Sequence, residues 1–260
     1  MTDRALGSAL PRRVAIVGDA GFYVGPELAR HLADRNHDLV LGDPDPALVA
    51  ELEATGCRVV AVKGVRNLTK PDSAERLVAT ALDQFGRVDS AAAFSGQIVT
   101  GRFVNSTVDD LHQVVAGCLE GPYHFLKAAV TPMIEQGDGQ ILLITSASAA
   151  RPTPGAPLYS AARAAASMLA QNVALEVARN GVQVNAIGTN FMDFPEFLRA
   201  SGATDPDVRA KVESEVPLRR LGTMTEFAAF CMPFIDGSSR FTTGQFVAYA
   251  GGWACGRFTA

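Results

Sequence analysis

The sequence lacks the features that mark several large classes of protein. Its 23 basic and 27 acidic side chains are spread along the chain and give a formal net charge of -4, so no basic surface is expected to attract nucleic acid or an anionic membrane. No apolar run approaches the roughly 18 residues of a membrane-spanning helix. The first residues, MTDRALGSALPRR, contain no apolar segment typical of an export signal. These absences favour a small-molecule partner and predict a cytoplasmic protein.

Cysteine and histidine are also few and scattered. The four cysteines form no CxxC pair and the four histidines show no ligand spacing, so neither a disulfide framework nor a metal site is expected. The 260 residues are 48% hydrophobic, which is enough for a sizeable core. We expect a flexible N-terminal tail over residues 1–12 and a single domain over residues 13–260.

Short apolar runs alternate with longer amphipathic stretches along the whole chain. Alternation of strand and helix at this spacing predicts βαβ units and a parallel sheet with helices on both faces, the doubly wound arrangement. In such sheets ligands bind beyond the carboxyl ends of the strands. The runs interpreted as strands are VAIV, DLVLG, RVVAV, SAAAF, QILLIT, VQVNAIG and QFVAYA.

Three polar residues near the run QILLIT form a candidate catalytic set. Ser146 directly follows that run, and Tyr159 and Arg163 are four positions apart on the next helical segment, so the latter two share one helix face. Tyrosine is ordinarily a poor base at neutral pH, but a guanidinium close by favours the phenolate. Tyr159 is then a plausible general base. From spacing alone, a packed tyrosine, a solvated arginine and a serine that merely ends a strand are the favoured explanation of the pattern.

The Ser-x12-Tyr spacing and the alanine-rich helix that follows resemble the short-chain dehydrogenase/reductase superfamily. The later segments VQVNAIG, PLRRLG and TGQFVAYAGGW fit the landmarks of that superfamily, so the resemblance extends from Val14 to Trp253. It implies one Rossmann-like domain with a parallel seven-stranded sheet.

The glycine-containing turn after the first strand departs from that superfamily. Its pattern TGxxxGxG falls here on Gly18, Asp19, Tyr23 and Gly25, and only the last glycine matches. A carboxylate at Asp19 repels a pyrophosphate, and the Tyr23 ring occupies space that a dinucleotide needs. Asp43, at the position where NAD enzymes hold a ribose, is therefore interpreted as a structural turn residue.

Further departures lie at the other strand ends. Arg163 replaces the usual lysine, Cys118 replaces the asparagine of the central helix, and Thr189 and Asn190 replace a Pro-Gly pair. Together with the segments YVG, AIGTNFM and LRRLGTMTEFA, these changes resemble the halohydrin dehalogenases. That resemblance implies a carbon–halogen lyase that converts vicinal haloalcohols to epoxides with release of halide and proton. The reverse reaction would open epoxides with azide, cyanide or nitrite. It also implies no cofactor and a homotetramer.

The resemblance assigns a role to each candidate residue. Tyr159 takes the proton of the substrate hydroxyl, Ser146 holds the substrate oxygen, and Arg163 favours the phenolate. The halide or nucleophile pocket is lined by Tyr23, Asn190, Phe191 and Met192. The substrate pocket is lined by Phe94, Gln97 and Phe197.

Two other functions remain open at this point. One is a divergent NADP-dependent short-chain reductase, and the other is a catalytically silent Rossmann-like protein that binds a metabolite or a partner. A silent binding protein has no evident need for the set Ser146, Tyr159 and Arg163, so that set favours an enzyme.

Overall fold

The computed structural model describes residues 12–94, 96 and 98–256. Seven parallel strands form one sheet in the order β3-β2-β1-β4-β5-β6-β7, and each of the seven apolar runs overlaps one of them. The doubly wound α/β architecture predicted from the sequence is confirmed. The strands are β1 (Arg13–Val17), β2 (His37–Gly42), β3 (Val59–Val62), β4 (Ser90–Phe94), β5 (Gly139–Ser146), β6 (Val182–Thr189) and β7 (Phe246–Tyr249).

Helices cover both faces of the sheet. Proline in the first turn begins several of them, where its missing N–H costs nothing, and capping boxes at Thr107 and Thr223 begin α4 and α9. The α-helices are α1 (Gly25–Ala33), α2 (Pro46–Ala54), α3 (Pro71–Phe85), α4 (Val108–Val115), α5 (Gly121–Gln136), α6 (Pro157–Val177), α7 (Pro195–Ser201), α8 (Pro206–Ser214) and α9 (Met224–Ile235).

The core has two layers, one on each face of the sheet. Alternate residues of β1 enter different layers: Val14 and Ile16 pack with α3, α5 and α6, whereas Ala15 and Val17 pack with α1, α2 and α9. Burial on both faces explains why the strands are continuous apolar runs rather than alternating ones. The strand order reverses between β1 and β4, so the ligand crevice is expected at their carboxyl ends.

The expected tail falls mostly outside the described residues, since residues 1–11 lie beyond them. Arg12, its last residue, is described, and its guanidinium forms an ion pair of 2.7 Å with Asp38. In residues 12–94, 96 and 98–256, no helix combines the length and apolar composition needed to cross a membrane. Cytoplasmic location stays a prediction.

Candidate active site

The three candidate catalytic residues lie at the carboxyl edge of the sheet. Ser146 is the last residue of β5, and Tyr159 and Arg163 lie in the first two turns of α6. All three are buried, with exposures of 7%, 9% and 1% respectively. The Tyr159 ring packs with Val114 and Cys118, so one side of it faces an apolar wall.

Arg163 carries a buried positive charge. Its guanidinium carbon lies 5.1 Å from the centroid of the Tyr159 ring and 5.7 Å from that of Phe94. Its Nε and Nη1 atoms have no hydrogen-bond partner among the described residues. Burial of a charged group without a partner is costly, so this guanidinium is suited to an oxygen ligand or to developing negative charge.

Tyr23 connects the other side of the site to Ser146. Its ring centroid lies 4.7 Å from that of Phe94, and its hydroxyl donates to Thr189 Oγ1 at 2.8 Å. The Ser146 hydroxyl in turn lies 3.5 Å from the Thr189 carbonyl oxygen. The side chain of Tyr23 thus contacts the last residue of β4 and the last residue of β6. In the sheet these two strands are separated by β5.

The conformation of Tyr23 is fixed by aromatic packing. It has φ 54°, a left-handed value that is unusual for a bulky residue, and Phe194 packs on it with ring centroids 4.8 Å apart. Burial raises the pKa of the Tyr23 hydroxyl, outweighing the opposite effect of its hydrogen bond to Thr189. Tyr23 therefore stays protonated and acts as a hydrogen-bond donor, not as a base.

The turn between β1 and α1 uses its polar groups internally. A Cβ at Gly25 would lie 1.9 Å from the Asp19 carbonyl oxygen, so only glycine fits there. The Asp19 carboxylate accepts from the Gly21 N–H at 3.2 Å and pairs with Arg66 at 3.0 Å. Burial raises the pKa of the Asp19 carboxyl, while Arg66 and the Gly21 N–H act in the opposite direction. The amide of Gly21 is thus already bonded to a carboxylate.

The Asp43 carboxylate is likewise hydrogen-bonded to backbone N–H groups. Its two carboxylate oxygens accept from the N–H groups of Gly64, Val65 and Arg66 at 2.6–2.8 Å. Burial acts to raise its pKa, but these hydrogen bonds hold that pKa below its usual value. This carboxylate closes the loop between β3 and α3 and has the turn role predicted for it.

The residues around this crevice do not fit a dinucleotide as they are arranged. Tyr23 fills the space between the ends of β1, β4 and β6, the Gly21 amide is bonded to Asp19, and the Asp43 oxygens are bonded to backbone amides. The expectation of no cofactor stays a prediction.

The loop after β6 lies beside a different cavity. Asn190, Phe191 and Met192 line a cavity of about 100 Å³ with Arg220 and Tyr249, whereas Tyr23 does not line it. The Asn190 side chain accepts from the Phe191 N–H at 2.9 Å. The Phe191 amide is therefore already bonded.

The aromatic residues predicted to line the substrate pocket lie in two neighbouring groups of rings. Phe94 packs against Tyr23, and Phe197 packs against Phe191 and Phe194 with centroids 6.1 and 6.3 Å apart. Phe194, which contacts both Tyr23 and Phe197, joins the two groups. Gln97 lies outside the described residues.

Ser148 is a site residue that the sequence analysis missed. It is 6% exposed, and both its backbone N–H and its hydroxyl donate to Ser146 Oγ. The signal that predicts this contact is local, because serine commonly accepts a hydrogen bond from the N–H two residues on.

Taken together, a parallel doubly wound sheet and a serine–tyrosine pair at its carboxyl edge define a Rossmann-like enzyme class. The family described as Enoyl-(Acyl carrier protein) reductase matches residues 23–254. The chain belongs to the short-chain dehydrogenase/reductase superfamily.

Individual relatives match over nearly their full length. A 3-oxoacyl-[acyl-carrier-protein] reductase of Synechocystis is 30% identical, covering 94% of this chain and 98% of that protein. The 2,5-dichloro-2,5-cyclohexadiene-1,4-diol dehydrogenase LinX of Sphingobium indicum is 26% identical, covering 96% and 100%. The structure of levodione reductase superposes with a TM-score of 0.86 at 22% identity, covering 96% and 100%.

These comparisons contradict the interpretation as a halohydrin dehalogenase. The matched relatives are dehydrogenases and reductases and not carbon–halogen lyases, so the expected lyase activity is not supported. The physical reason for the error is that Tyr23 and Arg163 are local departures. They change single contacts within a site whose Ser146 and Tyr159 are retained, and they do not by themselves define a dehalogenation.

Proposed function

We propose that the protein is an oxidoreductase that acts on the oxygen of a small secondary alcohol or ketone. The observation that carries the proposal is the burial of Ser146 and Tyr159 at one sheet edge, together with Arg163, two of whose guanidinium nitrogens have no hydrogen-bond partner among the described residues. Membership of a superfamily whose matched relatives are dehydrogenases and reductases supports the same class.

In this proposal Tyr159 moves the proton. Its hydroxyl would donate the proton to the carbonyl oxygen of a ketone while a bound nicotinamide supplied the hydride. Its phenolate would take the proton of an alcohol while the oxidised nicotinamide accepted the hydride. Ser146 donates a hydrogen bond to the same oxygen and holds it against Tyr159. As the residues are arranged, the crevice does not fit a dinucleotide, because the Tyr23 ring occupies it.

Arg163 supplies charge to that oxygen and to Tyr159. Negative charge develops on the substrate oxygen during reduction, and a buried cation stabilises such charge more strongly than an exposed one because water screens it less. Arginine also keeps its charge at every working pH. The planar guanidinium faces the Tyr159 ring at 5.1 Å, which places the charge beside the residue that transfers the proton.

The test is turnover of a panel of small ketones and secondary alcohols with NADH, NADPH and their oxidised forms. Absorbance of the reduced nicotinamide reports the reaction. We expect Tyr159→Phe to lower kcat by a factor of about 100 or more, since positioned acid–base groups contribute that much. Tyr123→Phe is the matched control, because Tyr123 lies on α5 and is 49% exposed.

The same panel is run on Tyr23→Gly, which opens the crevice. Turnover in either protein that disappears with Tyr159→Phe supports the proposal. Turnover in neither protein, or turnover that survives Tyr159→Phe, contradicts it.

The homotetramer implied by the sequence resemblance is also kept as a proposal. Exposed apolar side chains on α6 support it, namely Met168 and Leu175. Sedimentation of the wild type and of Leu175→Glu tests it: loss of a tetramer in the variant is the expected result, and a monomeric wild type contradicts it.

A further inference from the structure

We propose that Ser148 is a positioning residue that holds the hydroxyl of Ser146 as a hydrogen-bond donor toward the substrate oxygen. The inference rests on the proposed function, since it concerns the same oxygen. Ser148 does not itself take part in proton transfer at Tyr159.

The geometry around Ser146 Oγ is asymmetric. The Ser148 N–H donates to it at 3.2 Å and the Ser148 hydroxyl donates to it at 2.9 Å. Both contacts lie in a short 3-10 turn over Ala147–Ala149 for which Ser146 is the N-cap. Both serines are buried, so bulk water does not compete for these contacts.

The two contacts use the accepting capacity of Ser146. A serine hydroxyl has two acceptor lone pairs and one proton to donate. With both lone pairs directed at Ser148, the proton of Ser146 is left for an acceptor. Among the described residues, the acceptor for this proton is the Thr189 carbonyl oxygen, 3.5 Å from Ser146 Oγ. That distance is too long for a good hydrogen bond.

This arrangement suits an oxygen that gains negative charge. A carbonyl oxygen accepts a hydrogen bond, and that bond strengthens as the oxygen becomes an alkoxide in the transition state. A Ser146 hydroxyl free to rotate would spend part of its time as an acceptor and lose this preference. The contribution of Ser148 is thus expected in kcat more than in KM.

The test compares Ser148→Ala with Ser148→Thr, which keeps the hydroxyl. We expect Ser148→Ala to lower kcat about 5- to 30-fold, the effect of one lost hydrogen bond, with KM changed less than about 2-fold. Ser148→Thr is expected to restore most of kcat. In a Ser146→Ala background, Ser148→Ala is expected to have no further effect, because the hydroxyl that it orients is gone.

Ser73→Ala is the control, since Ser73 is a buried serine on α3, outside this site. The inference is overturned if Ser148→Ala keeps the wild-type kcat, or if its effect persists in the Ser146→Ala background. Absence of any Tyr159-dependent turnover in the wild type and in Tyr23→Gly overturns the proposed function and this inference with it. Turnover with unaltered Ser148→Ala kinetics overturns the inference alone.

Discussion

The hydroxyl of Tyr23 lies 2.8 Å from Thr189 Oγ1 and ties the turn after β1 to the end of β6. Replacing Tyr23 by glycine removes this bridge and suits the backbone, because glycine adopts φ 54° without strain. We expect Tyr23→Gly to bind NADPH at least about 10-fold more tightly than the wild type, which corresponds to about 1.4 kcal/mol. Quenching of Trp253, the single tryptophan, measures the affinity.

Tyr23→Phe is the matched variant for this prediction. It loses the hydroxyl and keeps the ring that packs 4.7 Å from Phe94, so its affinity for NADPH should stay close to that of the wild type. A gain in Tyr23→Phe equal to that in Tyr23→Gly would mean that the hydrogen bond, not the ring, obstructs the crevice. Equal affinity in all three proteins would contradict obstruction by Tyr23.

Gly96 sets the position of the Arg163 guanidinium. A Cβ at Gly96 would lie 2.0 Å from Arg163 Nη2, so Gly96→Ala must push the guanidinium away from Tyr159. Misplacing a group by about 1 Å can cost about 100-fold in rate, and we expect kcat to fall about 10- to 100-fold. Steady-state kinetics with the best ketone of the panel measure the change.

Gly101 provides a control with the same backbone demand. Gly96 has φ 142° and Gly101 has φ 149°, but a Cβ at Gly101 would meet nothing within 4 Å. Gly101→Ala therefore carries similar backbone strain without touching Arg163. Equal losses of kcat in the two variants would assign the effect to backbone strain and contradict the contact.

The fold was predictable because its signal is repeated in every βαβ unit. The inner apolar runs, such as VAIV and QILLIT, are buried on both faces of the sheet, while the edge strands β3 and β7 are partly buried. A sequence with seven apolar runs has few other ways to bury them. The location of Ser146 and Tyr159 at the carboxyl edge of the sheet was predictable from the same strand–helix alternation. Ser146 ends β5, and Tyr159 lies in the first turn of α6.

The ligand of the site was less predictable because it depends on contacts between distant residues. Spacing alone does not show that Tyr23 reaches Thr189, that Asp19 pairs with Arg66, or that Asn190 bonds the amide of Phe191. The sequence of the glycine turn departs from the superfamily pattern TGxxxGxG. In the structure the Gly21 amide of this turn is bonded to the Asp19 carboxylate. The step from that alteration to a dehalogenase was wrong, since the matched relatives are dehydrogenases and reductases.

Arg163 is expected to support activity at the expense of stability. Its side chain is 1% exposed and two of its nitrogen atoms lack partners in the described residues, and replacing buried charge by an apolar side chain of similar volume is often neutral or stabilising. We expect Arg163→Met to keep or raise Tm while lowering kcat at least about 100-fold. Thermal unfolding and kinetics measure both. A Tm lower by more than about 4 °C, roughly 1 kcal/mol or more at this size, would contradict the cost assigned to the charge.

His37 is expected to make the fold sensitive to acid. Its ring is fully buried, its Nδ1 lies 2.9 Å from the Arg35 carbonyl oxygen, and its Nε2 has no partner in the described part of the chain. Burial lowers the pKa of His37, and the charge of Arg13 acts in the same direction. The unfolded chain therefore binds a proton at a pH where the folded chain does not. Stability is retained above the unfolded value of about 6.5 and is lost as the pH falls below it.

Because one proton is involved, the free energy of unfolding falls by at most about 1.4 kcal/mol per pH unit. Urea unfolding at a series of pH values between about 8 and 5 measures it. His37→Gln removes the titrating group and keeps a side-chain donor for the Arg35 carbonyl, so its slope should be flatter. His112→Gln is the control, because His112 is exposed. If His37→Gln and His112→Gln keep the wild-type slope, the acid sensitivity does not come from His37.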